Sequence, residues 1–197
     1  MKNIIVILDP AHGVEVPGKR SPDGKHREYR WSRDRVRELR IALIEKGYEV
    51  YLTTTSEEEP GLTKRKNFAS AIPGKRKLLI SPHNDASGNG SEWMKAQGVS
   101  VWTSKGKTDS DICADFILEQ FREDFPEIKI RQYSPKHLEK DFEANFTVLM
   151  GNYMAVLIEW LFQDNKEDVE KLSDPLINKR FVESLVKAIE KINEYFA

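Results

Sequence analysis

The chain has one cysteine, Cys113, in 197 residues. That excludes an internal disulfide framework and a cysteine-based zinc site. Positive charge is not in excess either: 31 Lys and Arg stand against 32 Asp and Glu, for a net charge of −1. Such a balance leaves no surplus cations to neutralise phosphates, which argues against nucleic acid or an anionic membrane as partner. Clusters such as Lys75-Arg76-Lys77 and Glu57-Glu58-Glu59 read as solvated loop faces. No apolar run approaches membrane-spanning length. Internal repeats, low-complexity tracts and interdomain linkers are missing, and the glycines and prolines stand at element ends, as punctuation.

What is present fits one domain, residues 1–197, with a hydrophobic fraction of 39% available for a core. Cys113 lies among apolar residues at helical spacing (Ile112, Phe116, Phe121) and reads as a buried thiol. Ile4 to Leu8 is short, β-branched and continuously apolar, the pattern of a strand buried on both faces. Further strands are expected at Tyr48–Thr53, Lys77–Ser81 (stopped by Pro82), Val99–Trp102 and Met154–Ile158. Helices are expected at Glu28–Lys46, capped by Gly47, at Leu62–Ala71 and at Ser110–Phe125, ended by Pro126. Ile128–Ala144 is polar and reads as an exposed excursion containing a surface histidine, His137. Asp174-Pro175 has the form of a helix start, and Phe181, Leu185, Ile189, Ile192 and Phe196 give the last helix a core-facing stripe. Strands alternating with helices predict a single-domain α/β fold. Its twisted, mostly parallel sheet is flanked by helices in a phosphorylase/hydrolase-like arrangement.

Open α/β sheets bind ligands beyond the carboxyl ends of their strands. His12 follows the first strand in Leu8-Asp9-Pro10-Ala11-His12-Gly13. His83 follows the third in Ser81-Pro82-His83-Asn84-Asp85. Glu159 closes the late apolar strand, and Glu28 opens the first long helix. Two histidines and a carboxylate are a donor set for catalytic zinc, with one position left open. A zinc ion lowers the pKa of bound water from about 15.7 to about 7. A second carboxylate off the metal can then move the proton. His12, Glu28 and His83 supply the ligands of such a set, and Glu159 the acid and base. Each residue also has an ordinary explanation. Loop histidines are commonly surface or hydrogen-bonding groups, and a glutamate at a helix N-terminus is favoured by the dipole. Glu159 is harder to explain away, because a carboxylate among apolar residues is costly unless it is used. No HExxH-type local motif is present, and the four residues lie on separate elements.

The order of the motifs resembles the zinc-dependent N-acetylmuramoyl-L-alanine amidases, the cell-wall hydrolase group often called Amidase_3. The resemblance runs from Asp9-Pro10-Ala11-His12-Gly13 to Gly24-Lys25-His26-Arg27-Glu28. It continues through Gly47-Tyr48-Glu49-Val50, Thr53-Thr54, Leu62-Thr63-Lys64-Arg65 with Ala69, and Ser81 to Asp85. Gly98 to Val101, Val156-Leu157-Ile158-Glu159 with Phe162 and Asn165, and Leu172 to Pro175 complete it. It implies a zinc ion on His12, Glu28 and His83, with Glu159 catalytic in cleaving the amide between N-acetylmuramic acid and L-alanine in peptidoglycan. Ala11 stands where glycine is usual, Pro82 where an aliphatic residue is commoner, and Trp160-Leu161 where a smaller, glycine-containing pair is usual. Trp160 is therefore expected to narrow the cleft or stack on sugar. Arg65 and Asn145 are further candidates for substrate contact. His26 is a rival ligand or a neighbour of the substrate.

Two alternatives stand beside this reading: a zinc peptidase or deacylase acting on another amide, and a non-catalytic wall-binding domain. The N-terminal apolar run is too short for a signal-peptide core. The expectation is a chain that is cytoplasmic as synthesised and reaches the wall by release or another export route. That setting suits an endolysin of a phage or prophage as well as a bacterial autolysin. Oligomeric state is not legible.

Overall fold

The fold is taken from a computed structural model that describes residues 2–132 and 140–197; His137 lies outside them. Six strands form one sheet: β1 (Ile5–Leu8), β2 (Val50–Leu52), β3 (Lys77–Asp85), β4 (Ser100–Thr103), β5 (Phe142–Glu143) and β6 (Met154–Phe162). Their order is β2-β1-β3-β6-β4-β5, and every pairing is parallel except β4 with β6. The helices are α1 (Glu28–Glu45), α2 (Leu62–Ala71), α3 (Asp109–Asp124), α4 (Lys166–Ser173) and α5 (Pro175–Tyr195), with a 3-10 turn at Thr147–Leu149. The single-domain, mostly parallel α/β architecture expected from the sequence is the one observed.

The continuous apolar runs are explained by a sheet covered on both faces. Along β1, Val6 and Leu8 join the larger core beneath α1, α3 and α5, while Ile7 joins a smaller one beneath α2 and the 3-10 turn. The same alternation runs along β6, with Val156, Ile158 and Trp160 on the large side and Ala155 and Leu157 on the small side. The predicted stripe of α5 is buried at Phe181, Leu185, Ile189 and Ile192. The Asp174 carboxylate caps that helix, accepting from Leu176 N at 2.8 Å.

Four expectations are corrected. First, Pro82 does not stop β3. In a strand, the N–H and C=O of one residue face the same neighbour. Pro82 faces the side that β1 has already left, and its carbonyl accepts from Ser32 Oγ at 2.6 Å instead. The ring therefore removes no ladder bond. Second, β6 does not close at Glu159 but continues to Phe162. His83 pairs with Glu159 and Asp85 with Phe162, so β6 carries one extra residue. Leu161 takes up this bulge at φ +63°, a left-handed conformation that favours glycine. Third, Lys77 is buried rather than solvated. Its ammonium donates to the carbonyls of Ala69, Ser70 and Ile72, which are left unpaired at the end of α2. Fourth, the polar excursion after α3 returns to the sheet, with Ile130 bridging Val99 and Phe142–Glu143 forming the edge strand.

Candidate metal centre

The residues singled out near the strand ends come from three elements and meet at one cleft. His12 lies in the turn after β1, and that turn is fastened from below by Asp9. One Asp9 oxygen accepts from Thr53 Oγ1 and from Arg65 Nη1 (2.9 Å), the other from Ser81 Oγ (2.8 Å). Ser32 of α1 fastens the turn from the side: its Oγ accepts from Ala11 N at 2.8 Å while donating to Pro82 O. One hydroxyl thus fixes the residues that precede both His12 and His83. Gly13 is required sterically, since a Cβ there would collide with the backbone of Glu58 and Glu59. His12 itself is held at φ +46°, an uncommon conformation for a residue with a side chain.

Glu28 is buried at the first turn of α1, and its Oε1 lies 3.2 Å from His12 Nε2 and 2.9 Å from His83 Nδ1. The two rings meet edge to face with centroids 4.9 Å apart. The other oxygen, Oε2, accepts from Gln163 Nε2 at 2.9 Å, and Asn84 N donates to Oε1 at 3.2 Å. Burial opposes ionisation of Glu28, but hydrogen bonds from His12 and His83 and their charge outweigh it and hold its carboxyl well below the usual range. His83 answers in the opposite sense: burial lowers its pKa, yet the bond to Glu28 and the surrounding carboxylates raise it overall. Among the described residues, His12, Glu28 and His83 offer one donor atom each, all within 4.8 Å of one another. Two imidazole nitrogens and a carboxylate oxygen at that spacing are compatible with a metal ion.

Glu159 opens into the same cleft, a cavity of about 340 Å³ lined also by Asp9, Lys19, Leu62, Phe146 and Val148. Among the described residues its Oε2 is buried without a hydrogen-bond partner. Burial pushes its carboxyl up to about 8; Glu28 and Asp85 act in the same direction, while His83 and Lys19 oppose it. A carboxyl so buried, with its pKa raised and beside a donor cluster, can exchange a proton near neutrality.

The other candidates divide. Asn145 and Arg65 line the cavity. The Arg65 guanidinium, however, is engaged by Asp9 and by Glu59 (2.9 and 3.0 Å) and by the carbonyls of Pro10 and His12, so it braces the cleft floor. The expectation that Trp160 lies in the cleft is corrected. As the residue after Glu159 on a strand it points to the opposite face, where it is fully buried against Phe121, Phe125 and Phe181. His26 is turned away from the cluster and donates from Nε2 to Asn84 Oδ1 at 2.8 Å. Asn84 in turn donates to Trp160 O at 2.7 Å, tying β3 to β6 behind the site. Ser32 and Gln163 have no part in the sequence reading, and Asn84 enters it only within the Ser81–Asp85 motif, without a role. The available signal at Gln163 was an amide directly following the apolar run of β6.

Residues 6–191 match the N-acetylmuramoyl-L-alanine amidase family. No curated protein sequence matches the chain. Among solved structures it is similar to an N-acetylmuramoyl-L-alanine amidase from Clostridium difficile 630, at 22% identity, 97% of each chain and a TM-score of 0.82. The catalytic domain of CwlV, an N-acetylmuramoyl-L-alanine amidase from Bacillus (Paenibacillus) polymyxa var. colistinus, matches at 19% identity, 97% of each chain and TM-score 0.79. Cwp6 from Clostridium difficile matches at 26% identity over 97% of this chain and 29% of that one, with TM-score 0.76.

Proposed function

This chain belongs to the N-acetylmuramoyl-L-alanine amidase family, and from that premise we propose that His12, Glu28 and His83 hold a zinc ion while Glu159 moves the protons of amide hydrolysis. The observation that carries the proposal is the convergence of two imidazoles and a buried carboxylate, donor atoms within 4.8 Å, on a cleft holding the unpartnered carboxyl of Glu159. The donor chemistry fits zinc, which accepts histidine nitrogen and carboxylate oxygen and leaves a position open in catalytic sites. Zinc bound there supplies Lewis acidity, polarising the amide carbonyl and acidifying water.

The chain's own residues do the rest. Gln163 and Asn84 N fix the Glu28 carboxylate, so that the ligand is oriented before any ion arrives. Glu159 accepts a proton as water adds to the carbonyl between N-acetylmuramic acid and L-alanine. It returns that proton to the alanine nitrogen as the C–N bond breaks, leaving a lactyl carboxylate and a free amino terminus. Its apolar burial, which raises its pKa, suits it to carry a proton near neutrality. The substrate is peptidoglycan, which lies outside the cytoplasmic membrane, so the protein acts there after export or release. Among the described residues no helix is long and apolar enough to cross a membrane.

Digestion of purified peptidoglycan with the zinc-loaded protein tests the reading. New L-alanine amino termini are the expected product. New ends elsewhere in the stem would replace the amidase reading with a peptidase. His83→Ala should lose metal and activity together, and full zinc occupancy in that variant would remove His83 from the ligand set.

A further inference from the structure

Among the described residues Lys19 and Arg65 are the lysine and arginine that line the cleft, and they are not equivalent. Arg65 is saturated by Asp9, Glu59 and two backbone carbonyls. Lys19 lines the same cavity half-buried, and among the described residues no ion pair or hydrogen bond engages its ammonium. The backbone that carries it is fixed next to the metal ligands: Lys19 O accepts from Glu28 N at 3.2 Å, and the following residue, Arg20, bridges to Arg27. The base of the side chain therefore keeps a set position relative to Glu28, while its four-carbon stem lets the charge adjust. A cation without a counter-ion in a partly desolvated cleft is a site for an anionic group of the ligand.

Given the amidase reading, on which this inference rests, the substrate narrows what that anion is. Cleavage occurs at the amide of L-alanine. The carboxylate nearest that bond is the free α-carboxylate of the next stem residue, a γ-linked glutamate, within two residues of chain or roughly 7 Å of the cleaved bond. We propose that Lys19 receives this carboxylate and makes the protein discriminate against stems in which it is amidated. Among the described residues Glu159 is the competing claimant, since Lys19 favours its charged form. The test must therefore separate substrate recognition from help to the catalytic group.

Two muropeptides identical except for a carboxylate or a carboxamide at the second stem residue are hydrolysed by the zinc-loaded protein. The wild type should prefer the carboxylate by about tenfold in kcat/KM, mostly through KM. Lys19→Met should bring the ratio to about one with zinc content unchanged, and Lys19→Arg should keep most of the preference. A wild-type ratio near one would overturn the proposal. So would a ratio that survives Lys19→Met, or an equal fall in kcat on both substrates, which would make Lys19 a partner of Glu159. Cleavage of neither substrate by the wild type would overturn the amidase reading itself, and this inference with it.

Discussion

Gln163 stands behind Glu28: its Nε2 donates to Glu28 Oε2 at 2.9 Å and to the Asn84 carbonyl at 3.3 Å. The amide thus couples the carboxylate of α1 to the backbone of β3, the strand that carries His83. Partners of this kind orient metal ligands, and their loss typically costs about 10–100-fold in affinity or activity. Gln163→Leu should weaken zinc binding by that order, measured by competition against a chelator of known affinity. An unchanged affinity would show that Glu28 needs no such support.

Glu159→Gln keeps the shape of the side chain and removes its capacity to exchange a proton. Turnover on peptidoglycan should fall by roughly 10²–10⁴-fold. Zinc stoichiometry should stay as in the wild type, because Glu159 lies outside the cluster of three donors. Metal analysis alongside the rate separates this outcome from a collapsed site. Retained turnover would move the proton-transfer role to another group.

Asp141 gives a stability prediction with a definite sign. Burial pushes its carboxyl up to about 6, against the hydrogen bond from Thr103 Oγ1 at 2.7 Å; Asp111 and Asp115 add to the rise. The folded state therefore holds this proton more tightly than the unfolded chain. The stability it contributes is complete at low pH, below the ordinary value of 3.8, and is lost as pH rises through about 6. Asp141→Asn can still accept from Thr103 but never ionises. Its melting temperature should match the wild type near pH 4 and exceed it by several degrees above pH 7, at roughly 2–4 °C for each kcal/mol relieved. A gain that is the same at both pH values would point to something other than titration.

These residues differ in how far the sequence discloses them. Helix α2 has the bounds expected of it, Leu62–Ala71, and the α5 start at Asp174-Pro175 has a cap and a proline in the first turn. Both are set by local chemistry, which a linear reading captures. His12 and His83 are legible as candidates because strand ends collect polar residues in a parallel sheet. The passage of β3 through Pro82 is not legible, because it depends on β1 ending first and on Ser32 replacing the lost neighbour. The same holds for Gln163, whose partner is 135 residues away in sequence. Helix α4 is less legible for a different reason: its start rests on Asn165, whose side chain accepts from Asp168 N at 3.1 Å, and on the acidic Glu167 and Asp168 of its first turn, with no apolar stripe long enough to mark it. Asn165 also belongs to the late motif that carries Glu159, which gives it a second explanation.

Trp160 is where this distinction has a measurable consequence. Its bulk next to Glu159 in sequence suggests a cleft residue, but the pleat of β6 sends consecutive side chains to opposite faces. The indole is buried against Phe121, Phe125 and Phe181 with ring centroids 4.6–4.9 Å apart. Its loss should therefore be a matter of the core. Trp160→Ala should cost about 3–5 kcal/mol in denaturant unfolding, the usual range for a large aromatic truncated in a close-packed interior. Trp160→Phe should recover most of that. In both variants KM for peptidoglycan fragments, corrected for the folded fraction, should stay close to the wild type, since the cavity is lined by Leu157 and Glu159 and not by Trp160. A several-fold rise in KM for Trp160→Phe with unchanged stability would return the indole to the substrate and require β6 to present its other face.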